Sequence, residues 1–345
     1  MHIADFDYDL PPELIAQTPA EPRDSSRMMV LDPKSDRIVD SRFRNFPDYL
    51  QPSDVLVLND TRVIRARTHA LLERSNGTSR EMEVFFVEPG ESGVWQVLCK
   101  PGRRIRPGDR AIFGGKFRGV FQESLGADLH LLEIDAAEEV LAELGEIPLP
   151  PYIQRSASQS DEATYQTVFA AYPGAIAAPT AGLHFTPEIL AQVRGLGVEV
   201  VTITLHVGIG TFLPVRTEDP SEHRLRPERY EVQEFTARLL QEAWTAGRRI
   251  IAVGTTTTRT LEYLLHRYGA IQAGSGYADL YILPGFQFRI VSGLLTNFHL
   301  PKSTLLMLVS AFAGRERILK AYRQAVESRY RFYSYGDCMF MERKV

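Results

Sequence analysis

The sequence predicts a mixed α/β protein, in which a sheet domain built from both ends of the chain carries an inserted small β-barrel domain. Two changes of pattern support this division. Between residues 62 and 135, short runs of alternating apolar residues are separated by glycine-rich turns, which is typical of a small barrel. After residue 186, helical patterns alternate with β-branched runs, as in βα units. We predict an α/β catalytic domain over residues 1–61 and 146–345, with the barrel over residues 62–145.

The elements outside the barrel are short in the first half of the chain. We expect a helix around residues 12–17 and strands over 28–32 and 55–59. After the barrel, Asp135 and Glu138 resemble a capping box and predict a helix that ends at Gly145. A proline-rich connector over 146–152 and a helix over 161–172 follow.

The second half of the chain carries clearer helix signals. Thr186, followed by Pro187, begins a helix that ends near Gly197. Pro301 stops a strand, and Ser303 caps the helix behind it. We predict strands over 198–205 and 249–253, and helices over 235–246, 257–268, 303–312 and 315–333.

The composition is that of an ordinary globular protein. The chain has 345 residues, of which 44% are hydrophobic and 24% charged. It has no apolar run near the roughly 20 residues that span a bilayer, and its acidic N-terminal segment lacks the order of a signal peptide. Cys99 and Cys338 lie far apart and match no metal spacing. We therefore expect a protein of the reducing cytoplasm, with no membrane partner.

Basic residues are distributed unevenly, although the net charge is −4. One cluster contains Asp109 as its single acid and, among its cations, Lys100, Arg103, Arg104 and Arg106. A second follows Arg315. Local patches decide whether a polyanion can bind, so both are candidate nucleic-acid contacts, the first being preferred. The alternative is that they are solvated faces.

Three histidines stand at predicted bends beside a phenylalanine and small residues: His184, His206 and His299. We expect their rings to converge on one site, because the same local pattern occurs three times in one chain. Imidazole titrates near neutrality and can serve there as an acid or a base. Each could instead be a packed residue that is hydrogen-bonded to the backbone. A triple-histidine metal site is a further alternative, but no local spacing supports it.

Two other polar segments follow predicted strands. Gly254-Thr255-Thr256-Thr257-Thr258-Arg259 opens a helix and suits a carboxylate or phosphate, the alternative being simple N-capping. It lacks the Gly-Lys-Ser/Thr of a Walker loop. Asn59-Asp60-Thr61-Arg62 is either an Asx turn with an Asp–Arg pair or a substrate clamp. Gly208 and Gly210 lack the third glycine of a dinucleotide fingerprint.

These segments together resemble the S-adenosylmethionine:tRNA ribosyltransferase-isomerases of queuosine biosynthesis, nearly from end to end. The matching motifs include Phe6-Asp7-Tyr8-Asp9-Leu10-Pro11, Leu58-Asn59-Asp60-Thr61-Arg62-Val63, Gly145-Glu146-Ile147-Pro148-Leu149-Pro150-Pro151-Tyr152-Ile153, Pro179-Thr180-Ala181-Gly182-Leu183-His184-Phe185, Leu205-His206-Val207-Gly208, Gly254-Thr255-Thr256 and Thr296-Asn297-Phe298-His299-Leu300-Pro301. The resemblance implies an α/β domain that carries a barrel, in agreement with the pattern above.

The resemblance also implies a reaction. The ribosyl group of S-adenosylmethionine, a co-substrate, is transferred to 7-aminomethyl-7-deazaguanine at the wobble position of a tRNA and isomerised. Epoxyqueuosine forms, adenine and methionine are released, and neither a metal nor a redox cofactor takes part. We expect catalysis by His184, His206, His299 and Asp60. We expect substrate binding by Arg62, Thr180, Gly208, Gly210, Thr255, Thr256, Thr257 and Asn297.

One departure from the family pattern concerns Leu225-Arg226-Pro227-Glu228, where the family usually has Met-His-Ser-Glu. The glutamate is kept, whereas the histidine and the serine are not, so no catalytic role is carried over to position 226. Two rival functions are a tRNA-binding protein without catalysis and a triple-histidine metal hydrolase. We expect a monomer.

Overall fold

The computed structural model describes residues 1–32, 35, 37–126, 128–208 and 217–343. The strands in chain order are β1 (Arg27–Leu31), β2 (Ile38–Arg42), β3 (Val55–Asn59), β4 (Thr61–Val63), β5 (Arg67–Glu73), β6 (Ser79–Pro89), β7 (Val94–Lys100), β8 (Arg110–Phe113), β9 (Phe117–Gly126), β10 (Leu129–Glu133), β11 (Tyr172–Ala175), β12 (Glu199–Leu205), β13 (Glu228–Val232), β14 (Ile250–Val253), β15 (Gly274–Ala278), β16 (Gly293–Asn297) and β17 (Cys338–Glu342). The α-helices are α1 (Ala137–Leu144), α2 (Asp161–Thr164), α3 (Pro187–Gly195), α4 (Glu234–Thr245), α5 (Thr255–Tyr268), α6 (Thr304–Ala313) and α7 (Arg315–Glu327).

A mixed sheet of nine strands organises the larger part of the molecule, in the order β15-β13-β12-β3-β14-β16-β17-β1-β2. Every residue of β3 is buried, and its side chains alternate between two apolar cores. Val55 and Val57 belong to the core beneath α4 to α7, and Leu56 and Leu58 to the core beneath α3. Helices therefore cover both faces of the sheet, as the α/β pattern of the sequence predicted.

The direction of the central strands positions the candidate site. β12, β3, β14 and β16 are neighbours and run parallel to one another. Their carboxyl ends therefore lie at one edge of the sheet, where ligands of open α/β sheets bind. The segments that begin at Asn59, His206, Gly254 and Asn297 leave the sheet there.

The inserted barrel is closed by six strands, in the order β10-β7-β6-β5-β8-β9. Its core contains alternate residues of these strands, such as Val84 and Phe86, and α1 packs on it through Val140. The predicted barrel is confirmed. The predicted capping box is wrong, because α1 begins after Ala136 and has no side-chain cap.

Other predictions for single elements had mixed outcomes. The strand at Val55–Asn59, the Thr186 cap of α3 and the Ser303 cap of α6 are confirmed. The helix over 161–172 is wrong beyond Thr164. Gln166 donates to the Val63 carbonyl and accepts from the Val63 amide, and the chain then pairs with β4 as β11. The last helix ends at Glu327 rather than 333. In the described part of the chain, no helix is long and apolar enough to cross a membrane.

Candidate functional site

His206 follows the carboxyl end of β12, and its ring is held from two sides. Nδ1 shares a hydrogen bond of 2.8 Å with the Thr61 hydroxyl. The backbone of Gly174 lies against the ring, and a Cβ at this glycine would stand 2.7 Å from Cε1 and Nδ1. Burial, with the Arg229 guanidinium as a second cause, lowers the pKa of the imidazole to about 4. The ring is therefore neutral at neutral pH.

His206 lines a cavity of about 360 Å³ between the barrel and the large sheet. This volume is in the range of small-molecule sites. We name it the junction cavity. The barrel contributes Glu88 and Gln96, and the sheet contributes Tyr277 and the 226–229 segment. The Tyr277 hydroxyl donates to a Glu88 carboxylate oxygen over 2.8 Å, which joins the two parts of the molecule at the cavity mouth.

A buried ion pair lies behind the junction cavity. Arg259 of α5 donates to Glu228 over 2.7 Å, and the two side chains are 6% and 4% exposed. The other carboxylate oxygen of Glu228 accepts from the Gly208 amide over 3.0 Å. This hydrogen bond holds Gly208 beside the cavity. Removing either partner of the buried ion pair is costly, because an unpaired charge then remains in the interior. Gly210 lies outside the described residues.

His299 follows the carboxyl end of β16 and is buried. Nε2 lies 3.0 Å from the Thr296 hydroxyl, and the His299 amide donates to the Tyr322 hydroxyl. Burial lowers the pKa of the imidazole to about 3, so this ring is also neutral at neutral pH.

His299 lines a narrow groove of about 50 Å³, which we name the helix groove because the first turn of α5 forms one wall. Thr180 and Asn297 also line it. Val207 borders both this groove and the junction cavity, so His206 and His299 serve adjoining spaces. The two histidines line different spaces that share only Val207, so convergence on one site stays a prediction.

The first turn of α5 divides the expected threonine site. Thr255 and Thr256 line the helix groove, whereas Thr257 is fully buried and its hydroxyl donates to the Val253 carbonyl. The expected binding role of Thr257 is therefore not supported. Gly254 has a φ of 92°, which a residue with a side chain rarely adopts, and it precedes the free amides of the helix start.

His184 lines neither the junction cavity nor the helix groove. Its Nδ1 lies 2.7 Å from the Ser26 hydroxyl, and its ring packs 5.3 Å from the Phe43 ring. Burial lowers its pKa to about 4, which the nearby Asn297 side chain partly offsets. The Asn297 amide nitrogen in turn donates to the Tyr333 carbonyl over 2.8 Å. His184 Nδ1 and the Asn297 amide nitrogen are thus held by neighbours, whereas His184 Nε2 and the Asn297 side-chain oxygen are buried without a hydrogen-bond partner among the described residues.

Asp60 and Arg62 lie near the site but not in it. Asp60 accepts from the Thr204 hydroxyl over 2.7 Å, and burial raises the pKa of its carboxyl. The exposed Arg62 donates to the Ala170 carbonyl over 2.9 Å. The two side chains point to different partners, so the expected Asp–Arg pair is not formed. The Thr61 amide donates to the Asn59 side-chain oxygen over 3.2 Å, which confirms the Asx turn, and the substrate clamp stays a prediction.

The first basic cluster lies on the barrel, on exposed side chains of Lys100, Arg103, Arg104 and Arg106. Gln96, at the junction cavity, and Lys100 belong to the same extended strand, β7. Four residues of strand span about 14 Å, so the cluster lies well away from the cavity. Asp109, its single acid, is buried and accepts from the Arg106 amide.

Several residues of the junction cavity were not predicted. Glu88, Gln96 and Tyr277 belong to ordinary strand patterns, and only the packing of the barrel on the sheet makes them neighbours of His206. Gly174 was not predicted either, although a glycine directly after Pro173 is a local sign of a turn. Over the described ranges, no group of three or more His, Cys, Asp or Glu side chains is arranged to hold a metal ion.

Comparisons with known proteins match the whole chain. A model of the family described as queuosine biosynthesis protein matches residues 3–341. An S-adenosylmethionine:tRNA ribosyltransferase-isomerase of Syntrophotalea carbinolica is 51% identical over 346 residues, covering 99% of this chain and 100% of that protein. One of the same name from Carboxydothermus hydrogenoformans is 49% identical over 344 residues, with the same coverage. The crystal structure of an S-adenosylmethionine tRNA ribosyltransferase from Thermotoga maritima is 39% identical, covers 98% of this chain and 99% of that chain, and gives a TM-score of 0.57.

Proposed function

The chain belongs to the queuosine biosynthesis protein family, and we propose that it is an S-adenosylmethionine:tRNA ribosyltransferase-isomerase with its site at the carboxyl edge of the parallel strands. It transfers the ribosyl group of S-adenosylmethionine to 7-aminomethyl-7-deazaguanine at the tRNA wobble position and isomerises it, with release of adenine and methionine. The placement of two neutral imidazoles, His206 and His299, on adjoining spaces carries the proposal.

The junction cavity suits the tRNA base. It opens to solvent between two parts of the molecule, and a nucleotide must leave the stack for an enzyme to reach its base. The aminomethyl group of the base is a cation in water, and the cavity offers the Glu88 carboxylate beside the neutral His206. These two groups can orient the ammonium and accept its proton, which leaves the neutral amine as a nucleophile.

For this step His206 needs one particular tautomer. If Nδ1–H donates to the Thr61 hydroxyl, Nε2 has a lone pair that can accept a proton. The low pKa keeps that lone pair unprotonated at neutral pH. It also makes the imidazolium a strong acid, so His206 passes the proton on to solvent soon after accepting it.

The helix groove suits the methionine end of S-adenosylmethionine. Its volume of about 50 Å³ matches an end group rather than the whole molecule. The free amides at the start of α5 and the hydroxyls of Thr255 and Thr256 favour a carboxylate there. The sulfonium and the ribose then extend toward the junction cavity.

His299 lies where this placement requires a base. The sulfonium acidifies the neighbouring 5′-carbon, and a neutral imidazole can remove a proton from it. With the methionine end in the helix groove, the 5′-carbon is one atom beyond the sulfur and lies toward His299. Such acid–base help is typically worth about 10²–10⁴-fold in rate.

The experiment that tests the function is an assay of adenine and methionine in the presence of S-adenosylmethionine and a tRNA that carries 7-aminomethyl-7-deazaguanine. We expect equal amounts of both products and of epoxyqueuosine, and no loss of rate when a metal chelator is present. No adenine release with this tRNA would contradict the proposal. Chelator-sensitive hydrolysis would favour the metal hydrolase instead.

We further expect the enzyme to act as a cytoplasmic monomer, to use no cofactor and to hold the tRNA through the basic cluster of the barrel.

A further inference from the structure

Two exposed side chains stand opposite each other at the mouth of the junction cavity. Arg229 of β13 and Tyr277 of β15 are direct partners in the antiparallel register. Opposed residues of such a pair lie about 5 Å apart at Cβ and point to the same face. Both line the cavity, and 52% of Tyr277 is exposed. An aromatic ring with a free surface thus stands beside a cation.

The orientation of the Tyr277 ring is fixed from the barrel. Its hydroxyl donates to Glu88 of β6 over 2.8 Å, so the ring cannot fold away from the cavity mouth without losing this bond. A tyrosine that is held by its hydroxyl while half of its surface remains exposed offers a ring face to a partner.

Two arginines stand near the ring, in addition to the Glu88 carboxylate that holds its hydroxyl. Arg226 also lines the cavity mouth and is exposed. Neither Arg226 nor Arg229 forms an ion pair with any residue in the described part of the chain, although the net charge of the protein is −4. Two unpaired guanidinium groups therefore border the exposed ring. We name these three residues, Arg226, Arg229 and Tyr277, the cavity rim.

We infer that the cavity rim binds the single-stranded RNA next to the nucleotide whose base enters the junction cavity. A neighbouring anticodon base stacks on Tyr277, and the phosphates on either side of it lie against Arg226 and Arg229. Stacking of unpaired bases on aromatic rings, with cations on the backbone, is the usual way in which proteins hold single-stranded RNA. The inference rests on the proposed function, since it assumes that a base enters this cavity.

The rim also accounts for the residue at position 226. This chain has an arginine there, and arginine keeps its charge at every physiological pH. At a position that faces the cavity mouth, a permanent cation suits a phosphate contact and could not serve as a proton acceptor.

The test measures binding of an anticodon stem-loop RNA that carries 7-aminomethyl-7-deazaguanine, without S-adenosylmethionine. We expect Tyr277→Ala to raise the Kd about tenfold, since loss of a stacked base is typically of this order. The control Tyr277→Phe keeps the ring and should stay within about threefold of the wild type. When the stacked neighbour is replaced by an abasic nucleotide, wild type and Tyr277→Ala should bind equally.

The arginines are tested by salt dependence. Each phosphate contact to a single strand contributes about 0.7 to the slope of log Kd against log salt. Arg226→Gln and Arg229→Gln should therefore each reduce the slope by about 0.7. The control Arg226→Lys keeps the charge and should leave the slope unchanged. Three outcomes would overturn the inference: a wild-type Kd for Tyr277→Ala, a tenfold loss that persists with the abasic RNA, or slopes that the arginine variants leave unchanged. If the rim variants behave as expected but the wild type releases no adenine, the proposed function fails and the RNA contact stands.

Discussion

Thr61 and His206 are joined by a hydrogen bond of 2.8 Å between the hydroxyl and Nδ1, although 145 positions separate them in the sequence. Thr61 begins β4, next to the carboxyl end of β3, and His206 follows the carboxyl end of β12, the parallel neighbour of β3. The contact exists because these two strands end at the same edge. The hydroxyl can accept from Nδ1 or donate to it, so the contact fixes the position of the His206 ring at the junction cavity.

Replacing Thr61 by Val keeps the shape of the side chain and removes the hydroxyl. We expect kcat to fall by about 10- to 100-fold, because acid–base help of this size depends on a positioned imidazole. The Km for S-adenosylmethionine should change little, since Thr61 does not line the helix groove. Steady-state kinetics of Thr61→Val beside Thr61→Ser checks this. A serine variant as slow as the valine variant would argue against the hydrogen bond.

Gly174→Ala should displace the His206 ring. The new Cβ would stand 2.7 Å from two ring atoms, and the φ of 146° is unfavourable for alanine. We expect turnover to fall about as far as in Thr61→Val. Gly247→Ala is the matched control, since its φ of 68° is also positive but no atom lies within 4 Å of the added Cβ. Equal rates for the two alanine variants would mean that backbone strain alone, and not the ring, determines the loss.

The pH dependence of the reaction should reflect His206. Its pKa is lowered to about 4, so the neutral form is present above that pH and is lost as the pH falls through it. Removing the nearby cation with Arg229→Gln raises the pKa, and the loss of activity should then begin at a higher pH than in the wild type. The ratio of variant to wild-type kcat between about pH 5 and pH 8 measures the difference. A ratio independent of pH would exclude His206 as the titrating group.

His299 and His184 should respond differently to the same change. His299→Gln removes the group at the helix groove, and we expect turnover to fall by about 10²–10⁴-fold while tRNA binding is kept. His184→Gln removes a packed ring and should lower the free energy of unfolding by about 1–3 kcal/mol, with a smaller loss of turnover at a temperature where the variant is folded. Urea unfolding and adenine release, measured on both, separate the roles. Near-normal adenine release by His299→Gln would remove it from the mechanism.

The basic cluster of the barrel should contribute to tRNA binding through charge alone. If about four phosphates are engaged, log K should fall with log salt with a slope of about −3 to −4. Arg103→Glu with Arg104→Glu should flatten the slope for full-length tRNA. The same double variant should bind a short anticodon stem-loop normally if the cluster contacts the body of the tRNA. An unchanged slope with full-length tRNA would place the contact elsewhere.

Features that depend on local sequence could be predicted, and features that depend on packing between distant segments could not. The Ser303 cap of α6 was predictable because the hydroxyl and the Leu306 amide are three residues apart. The helix after Thr164 was not, since Gln166 forms its hydrogen bonds with Val63, 103 positions earlier. Local propensity gave no sign of that partner.

The site divides in the same way. His184, His206 and His299 have similar sequence surroundings, so the sequence alone gave no reason to separate them. Ser26 and Phe43, which contact His184, come from the N-terminal part of the chain, more than 140 positions earlier. Glu88 and Tyr277 meet only because the barrel packs on the edge of the sheet. The residue types of a site can therefore be read locally, whereas their roles depend on neighbours that the topology supplies.

The position of β17 has a consequence for biosynthesis. This strand, Cys338–Glu342, lies between β16, to which it is antiparallel, and β1, to which it is parallel. While the chain is being made, β1 and β2 can form only a separate ribbon, and they join the other strands once β17 has emerged from the ribosome. Nascent chains that stop short of residue 338 should thus expose two unpaired sheet edges, which are sites for chaperone binding and aggregation.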